Sequence, residues 1–106
     1  MPLAVEYLSV PVDRQREFEH AFERAMRLLI AAPGYIAHEL HRSTDCESCY
    51  LLIVEWERRE DCTMRFRRSG TFQHWHQMIH AFATGEADLE MFSEVRPRNS
   101  SPHLLD

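Results

Sequence analysis

The stretch FQHWHQMIHAF, residues 72 to 82, places His74, His76 and His80 beside Trp75 in one short apolar run. An imidazole titrates near pH 6.5, so each of these histidines could act as a base, a proton donor or a ligand to a metal or haem iron. On a helix turning about 100° per residue, Phe72, Trp75, His76 and Ile79 fall on one face, His74 and Gln77 point away, and His80 sits at the edge. His76 is then the imidazole expected to face the sheet. The competing reading is a part-buried histidine bonded to a backbone carbonyl. The i, i+4 spacing of His76 and His80 could place both rings on one zinc ion. Such a site needs further Cys, His or carboxylate ligands, and the metalloprotease pattern needs a Glu where this chain has Gln77, so no metal site is expected.

Other reactive side chains carry less. Cys46, Cys49 and Cys62 make an odd count without a secretory leader, which predicts reduced thiols rather than a disulfide framework. The C-x-x-C formed by Cys46 and Cys49 falls in a turn between two strands, away from any helix start that could lower a thiol pKa, and reads as a coincidence of a surface hairpin. His38 and His41 lie on a segment, residues 35 to 42, that alternates like a strand, so they face opposite ways. His38, in phase with Ile36 and Leu40, is the pocket candidate, whereas His41 shares its face with Glu39. Trp56 and Tyr50 read as core anchors.

The elements that must position these residues follow from patterning. LAVEYLSVPV, residues 3 to 12, is too short for a stable helix and rich in strand formers. Asp13 is expected to cap a helix whose apolar stripe is Phe18, Ala21, Phe22, Ala25, Leu28 and Leu29, and Pro33 with Gly34 stops it. STDCES, residues 43 to 48, reads as a turn, and CYLLIVEWE, residues 49 to 57, as a strand apolar on both faces. A helical region from about residue 59 to 82 should break near Ser69 and Gly70. ADLEMFSEV, residues 87 to 95, closes the pattern as a strand. Residues 1–96 then form one domain, with 97–106 as a polar tail, unstructured or packed on a partner.

The order β, α, β, β, α, β predicts an α+β, ferredoxin-like fold with one antiparallel sheet and helices on one face. A strand apolar on both sides implies that something covers the open face, and a second copy about a two-fold axis is the expected cover. The 106 residues carry twelve Lys and Arg against seventeen Asp and Glu, with arginines scattered among acids. No basic face is available to nucleic acid, no apolar stretch is long enough to span a membrane, and no leader is visible, so a cytoplasmic protein is expected.

APGYIAHELHRS, YLLIVEWERRED and FRRSGTFQHW resemble the antibiotic biosynthesis monooxygenase family over residues 3 to about 95. The resemblance rests on Pro33 and Gly34, on Glu39, Leu40 and Ser43, on Trp56 and Glu57, and on Ser69 with Phe72. It implies a small dimeric α+β barrel, and functions ranging over cofactor-free oxygenases of polyketide phenols, quinol oxygenases and haem-degrading oxygenases. In the haem-degrading members, an Asn on the first strand, a Trp in the second helical region and an iron-ligating His form the site. By position these fall near Tyr7 and Phe66 and on His76, so two of the three differ here.

Oxygenation without metal or flavin needs an electron-rich substrate that, once deprotonated, passes an electron to dioxygen. The protein supplies an apolar pocket, a base and donors for the anion. His76 is the expected catalytic base. Tyr7, His38, Phe66, Phe72, Trp75 and Ile79 are the expected substrate-binding residues around a phenol, quinol or polyketide-like ring, with no cofactor. A non-catalytic dimer holding a small apolar ligand is the alternative, and a haem-degrading enzyme the third.

Overall fold

The computed structural model describes residues 1–85 and 87–101. The chain runs through strand β1 (Leu3–Ser9), a 3-10 turn (Val12–Arg14), helix α1 (Gln15–Ile30), strands β2 (Tyr35–Arg42) and β3 (Cys49–Trp56), a π-helical segment (Asp61–Phe66), helix α2 (Gly70–His80) and strand β4 (Leu89–Phe92). The strands form one sheet in the order β2-β3-β1-β4, antiparallel throughout. This is the ferredoxin-like arrangement expected from the alternation of the sequence.

The register shows why the two sheet faces differ. Ala4, Glu6 and Leu8 of β1 stand opposite Val54, Leu52 and Tyr50 of β3, all on the helix-covered side. Tyr50, Leu52, Val54 and Trp56 are buried there beneath Phe18, Phe22, Ala25 and Leu29 of α1 and Trp75 and Ile79 of α2. Shifting phase by one residue reaches the open face, where Leu3, Val5 and Tyr7 pair with Glu55, Ile53 and Leu51. That face carries Tyr7 at 61% exposure and Phe92 at 44%.

Several boundaries differ from expectation for local reasons. β1 stops at Ser9 because Val10 and Pro11 lead into the 3-10 turn, and the Val10 amide bonds the Ser48 carbonyl at 2.8 Å. Asp13 lies inside that turn, so α1 starts after Arg14 with no side-chain cap. Gln15, at the start of α1, is instead buried, donating to the carbonyls of Glu47 (2.6 Å) and Val10 (3.2 Å). The break near Ser69 is present: Ser69 Oγ accepts from the Phe72 amide at 3.1 Å and starts α2. The last strand is only Leu89–Phe92, since its partner β1 begins at Leu3, opposite Phe92. Residues 97–101 have no regular structure, and 102–106 of the expected tail lie outside the described residues.

The expectation of reduced thiols is corrected at one pair. The tight turn, with the Cys49 amide bonded to the Cys46 carbonyl at 3.1 Å, brings the two Cα atoms within 5.4 Å, and Cys46 and Cys49 are joined in a disulfide. Cys62 is a buried free thiol. Among the described residues no helix is long and apolar enough to cross a membrane.

Candidate functional site

A small cavity of about 30 Å³ lies between the sheet and the second helical region. Its floor is Ala4 and Glu6 of β1 with Leu52, Val54 and Trp56 of β3; its roof is Leu29, Phe66, Phe72 and Trp75. Arg67, Cys62 and Leu89 complete the wall. The π-helical segment matters here, because its wider turn carries Cys62 to the wall and Phe66 to the roof before Ser69 resets the chain into α2. Burial pushes the Cys62 thiol up to about 11, so it stays protonated and is no nucleophile.

Glu6 and Arg67 interrupt this apolar surround, and Glu6 is paired with His80, which lies outside the lining. His80 Nε2 lies 2.8 Å from Glu6 Oε1, with side-chain exposures of 15% and 12%. Glu6 occupies a helix-facing position on β1, in phase with Ala4 and Leu8. His76 lies one turn earlier on α2, with its ring stacked on His80 at 3.9 Å and 13° between planes, and 5.4 Å from the Phe72 ring. The His76 pKa is lowered, first by desolvation against these rings and then by the neighbouring His80, so His76 is predominantly neutral at neutral pH.

Phe66, Phe72 and Trp75 are brought together as expected, with Phe66 5.4 Å from Phe72 and 5.7 Å from Trp75. Ile79 is fully buried in the core and does not reach the cavity. Tyr7 is on the opposite face of the sheet, so the expected contact with a ring between helices and sheet is not made. His38 faces the helices as expected but lies across the sheet beneath α1. There its Nδ1 is 2.5 Å from the Tyr35 hydroxyl and its ring 5.9 Å from Phe22. Burial lowers its pKa. His41 is on the open face, 3.4 Å from Glu39. His76 itself is exposed rather than turned into the sheet, because the buried stripe of α2 runs through Trp75 and Ile79 and leans toward His80.

Glu6, His80 and Arg67 were not anticipated. The signal was present for Glu6: a carboxylate in phase with Ala4 and Leu8 on a strand must stand among core residues. Arg67 lies 5.1 Å over the Phe72 ring at the mouth of the cavity. Among the described residues no group of three or more His, Cys, Asp or Glu is gathered to hold a metal ion. Tyr7, Phe66 and His76, the positions matching the haem-degrading trio, do not surround one space, and the cavity is far too small for a porphyrin.

The antibiotic biosynthesis monooxygenase family model matches residues 1–78. The chain is 40% identical over 81 residues to the uncharacterised Bacillus subtilis protein YczJ, covering 76% of this chain and 85% of YczJ. Among solved structures, a Bordetella bronchiseptica protein provisionally named an antibiotic biosynthesis monooxygenase is 25% identical, with a TM-score of 0.84 over 90% of this chain and 97% of that one. SnoaB, a cofactor-independent oxygenase from Streptomyces nogalater, shares the fold at 22% identity, with a TM-score of 0.74 over 95% of this chain and 96% of its own. With its cavity between sheet and second helix and a matching family model over most of its length, this chain belongs to the antibiotic biosynthesis monooxygenase family.

Proposed function

We propose that the protein is a cofactor-independent monooxygenase acting with dioxygen on a small aromatic substrate, a phenol, quinol or polyketide-like ring. The observation that carries this reading is the Glu6–His80 pair set at the edge of a mainly apolar cavity that Arg67 also lines, with the His76 imidazole stacked on His80. About 30 Å³ holds one or two water-sized molecules and no aromatic ring. The ring therefore lies across the mouth, beside Phe72 and Arg67, within reach of His76.

There His76 accepts the acidic proton of the substrate, and its lowered pKa keeps it in the accepting form. Glu6 holds His80, and His80 supports the His76 ring by stacking. Arg67 offers its charge to the substrate anion. The anion gives one electron to dioxygen, the two radicals join in a C–O bond, the peroxide anion takes back the proton held by His76, and the resulting hydroperoxide loses water. A methylene carbon thus exchanges two hydrogens for one oxygen atom, and the second oxygen leaves with those hydrogens as water. We further read the working molecule as a cytoplasmic homodimer whose open faces, bearing Leu3, Val5, Leu51 and Ile53, cover each other.

The test is oxygen uptake by the purified protein with anthrone and hydroquinone panels. Uptake well above a His76→Ala control supports the reading; uptake equal to that control removes it. A ligand retained unchanged in air by a protein inactive on both panels identifies a binding protein instead.

A further inference from the structure

Phe66 borders two spaces. On one side is the cavity of about 30 Å³ over the sheet; on the other is a pocket of about 290 Å³ at the end of α1 and the start of α2, lined by Leu28, Ala31, Ala32 and Pro33 beside Arg65 and Thr71. The Phe66 ring is turned to the cavity side, 5.5 Å from the Trp56 ring, 5.4 Å from Phe72 and 5.7 Å from Trp75, and the residue is buried. Phe66 is also the last residue of the π-helical segment, a wide turn that is rare in proteins and frequent at functional sites. A space of about 150 Å³ among aliphatic side chains holds a benzene ring. The pocket is therefore large enough to receive the phenyl ring of Phe66, in a mainly apolar surround like the one that ring now occupies.

We propose that Phe66 is the gate of the site: rotation about its χ1 carries the ring from the cavity to the pocket, and the inner edge of the substrate ring takes the vacated place against Trp56 and Trp75. Side chains pass between staggered rotamers without any change in the backbone. The Phe66 carbonyl therefore keeps the bonds it accepts from the Ser69 amide at 3.0 Å and the Ser69 hydroxyl at 2.6 Å. With substrate present, the swing replaces one aromatic ring by another among Trp56, Phe72 and Trp75, so little buried apolar area is lost. Without substrate it would leave those rings facing a void and forfeit their contacts, which keeps the gate closed. The substrate thus selects the rotamer that admits it. Its outer edge stays at the mouth, beside Phe72 and Arg67 and within reach of His76. The assignment rests on the oxygenase reading, and it explains how a cavity of one or two water-sized molecules becomes the seat of an aromatic substrate.

Two measurements on the full chain test it. Crystals soaked in 2-naphthol should show the naphthol ring against Trp56 and Trp75 and the Phe66 ring beside Leu28 and Ala32; naphthol absent, or bound with Phe66 unmoved, overturns the proposal. Steady-state oxygen uptake is then compared in Ala31→Leu and Ala32→Leu, which fill the pocket, and in Phe66→Leu, which removes the ring, alone and combined with each. Filling the pocket should raise KM for the aromatic substrate several-fold and leave kcat and KM for dioxygen unchanged, because the open rotamer is then less populated. Ala31 is exposed, so its variant carries the comparison if Ala32→Leu does not fold. In the Phe66→Leu background the same fillings should have no effect, since no ring then needs the pocket. An unaltered KM in the filled variants, with uptake by the wild type intact, overturns the gate and leaves the oxygenase reading standing. No uptake by the wild type removes that reading, and the naphthol structure alone then decides the gate.

Discussion

Replacing Gly34 by Ala tests how the roof of the cavity is fixed. Gly34 has φ of +86°, and a Cβ built there overlaps the carboxylate of Asp61, the first residue of the π-helical segment. The left-handed backbone alone costs a non-glycine residue about 1–2 kcal/mol. The methyl group must also displace Asp61, whose side chain is 3% exposed. Asp61 accepts from the Arg58 amide at 3.2 Å and pairs with the Arg58 and Arg65 guanidiniums at 3.4 and 3.6 Å. Disturbing a buried carboxylate held this way costs about 1–3 kcal/mol more. The sum, roughly 2–5 kcal/mol, should lower the melting temperature by about 10 °C or more in a domain of this size. Thermal unfolding followed by circular dichroism measures it, with Gly85→Ala as internal reference. Gly85 also has positive φ, +73°, but nothing lies within 4 Å of its added Cβ, so it reports the backbone cost alone. In an Asp61→Gly background, which also removes the Asp61 Cβ that lies 2.6 Å from the added methyl, Gly34→Ala should cost no more than that reference. The reasoning is refuted if Gly34→Ala in the wild-type chain melts no lower than Gly85→Ala.

Ser69→Ala removes the cap on the Phe72 amide and should destabilise the chain by about 1 kcal/mol in urea unfolding, with the m-value unchanged. Proton NMR titration should place the His38 and His76 imidazoles below the ordinary value near 6.5, because burial disfavours the charged form of each. Catalysis needing neutral His76 should accordingly be lost as pH falls through that lowered pKa and stay constant above about pH 6.5, a limb visible in kcat/KM against pH. Alkylation followed by mass spectrometry should label no cysteine in the native, unreduced chain, Cys62 alone after denaturation, and all three after denaturation with reductant.

The fold was legible because the alternating and helical stripes of this chain agree with one another. The apolar phase of Tyr50, Leu52, Val54 and Trp56 fixed which side of β3 meets the helices, and Ser69 marked the new helix start. The site was legible only where a residue's own element decided its placement, as with Phe66, Phe72 and Trp75. On β1, carrying a family position onto Tyr7 rather than Glu6 moved the expected contact to the wrong face, since one residue of phase in a strand exchanges faces. On α2, His76 and His80 lie a single turn apart, and which of them turns inward is decided by Glu6, a partner 74 positions away in the chain that no local pattern reveals. Cys46 and Cys49 are brought together by turn geometry, which their spacing alone does not disclose.

The central claim is that this fold oxygenates an aromatic substrate by itself, through His76. Turnover of anthrone under ¹⁸O-labelled dioxygen by chelator-treated protein tests it most directly, with the product analysed by mass spectrometry as it forms. One labelled oxygen per product molecule is expected, formed much faster than in the His76→Ala variant. Product formed no faster than in that variant, or carrying oxygen from water, would contradict it.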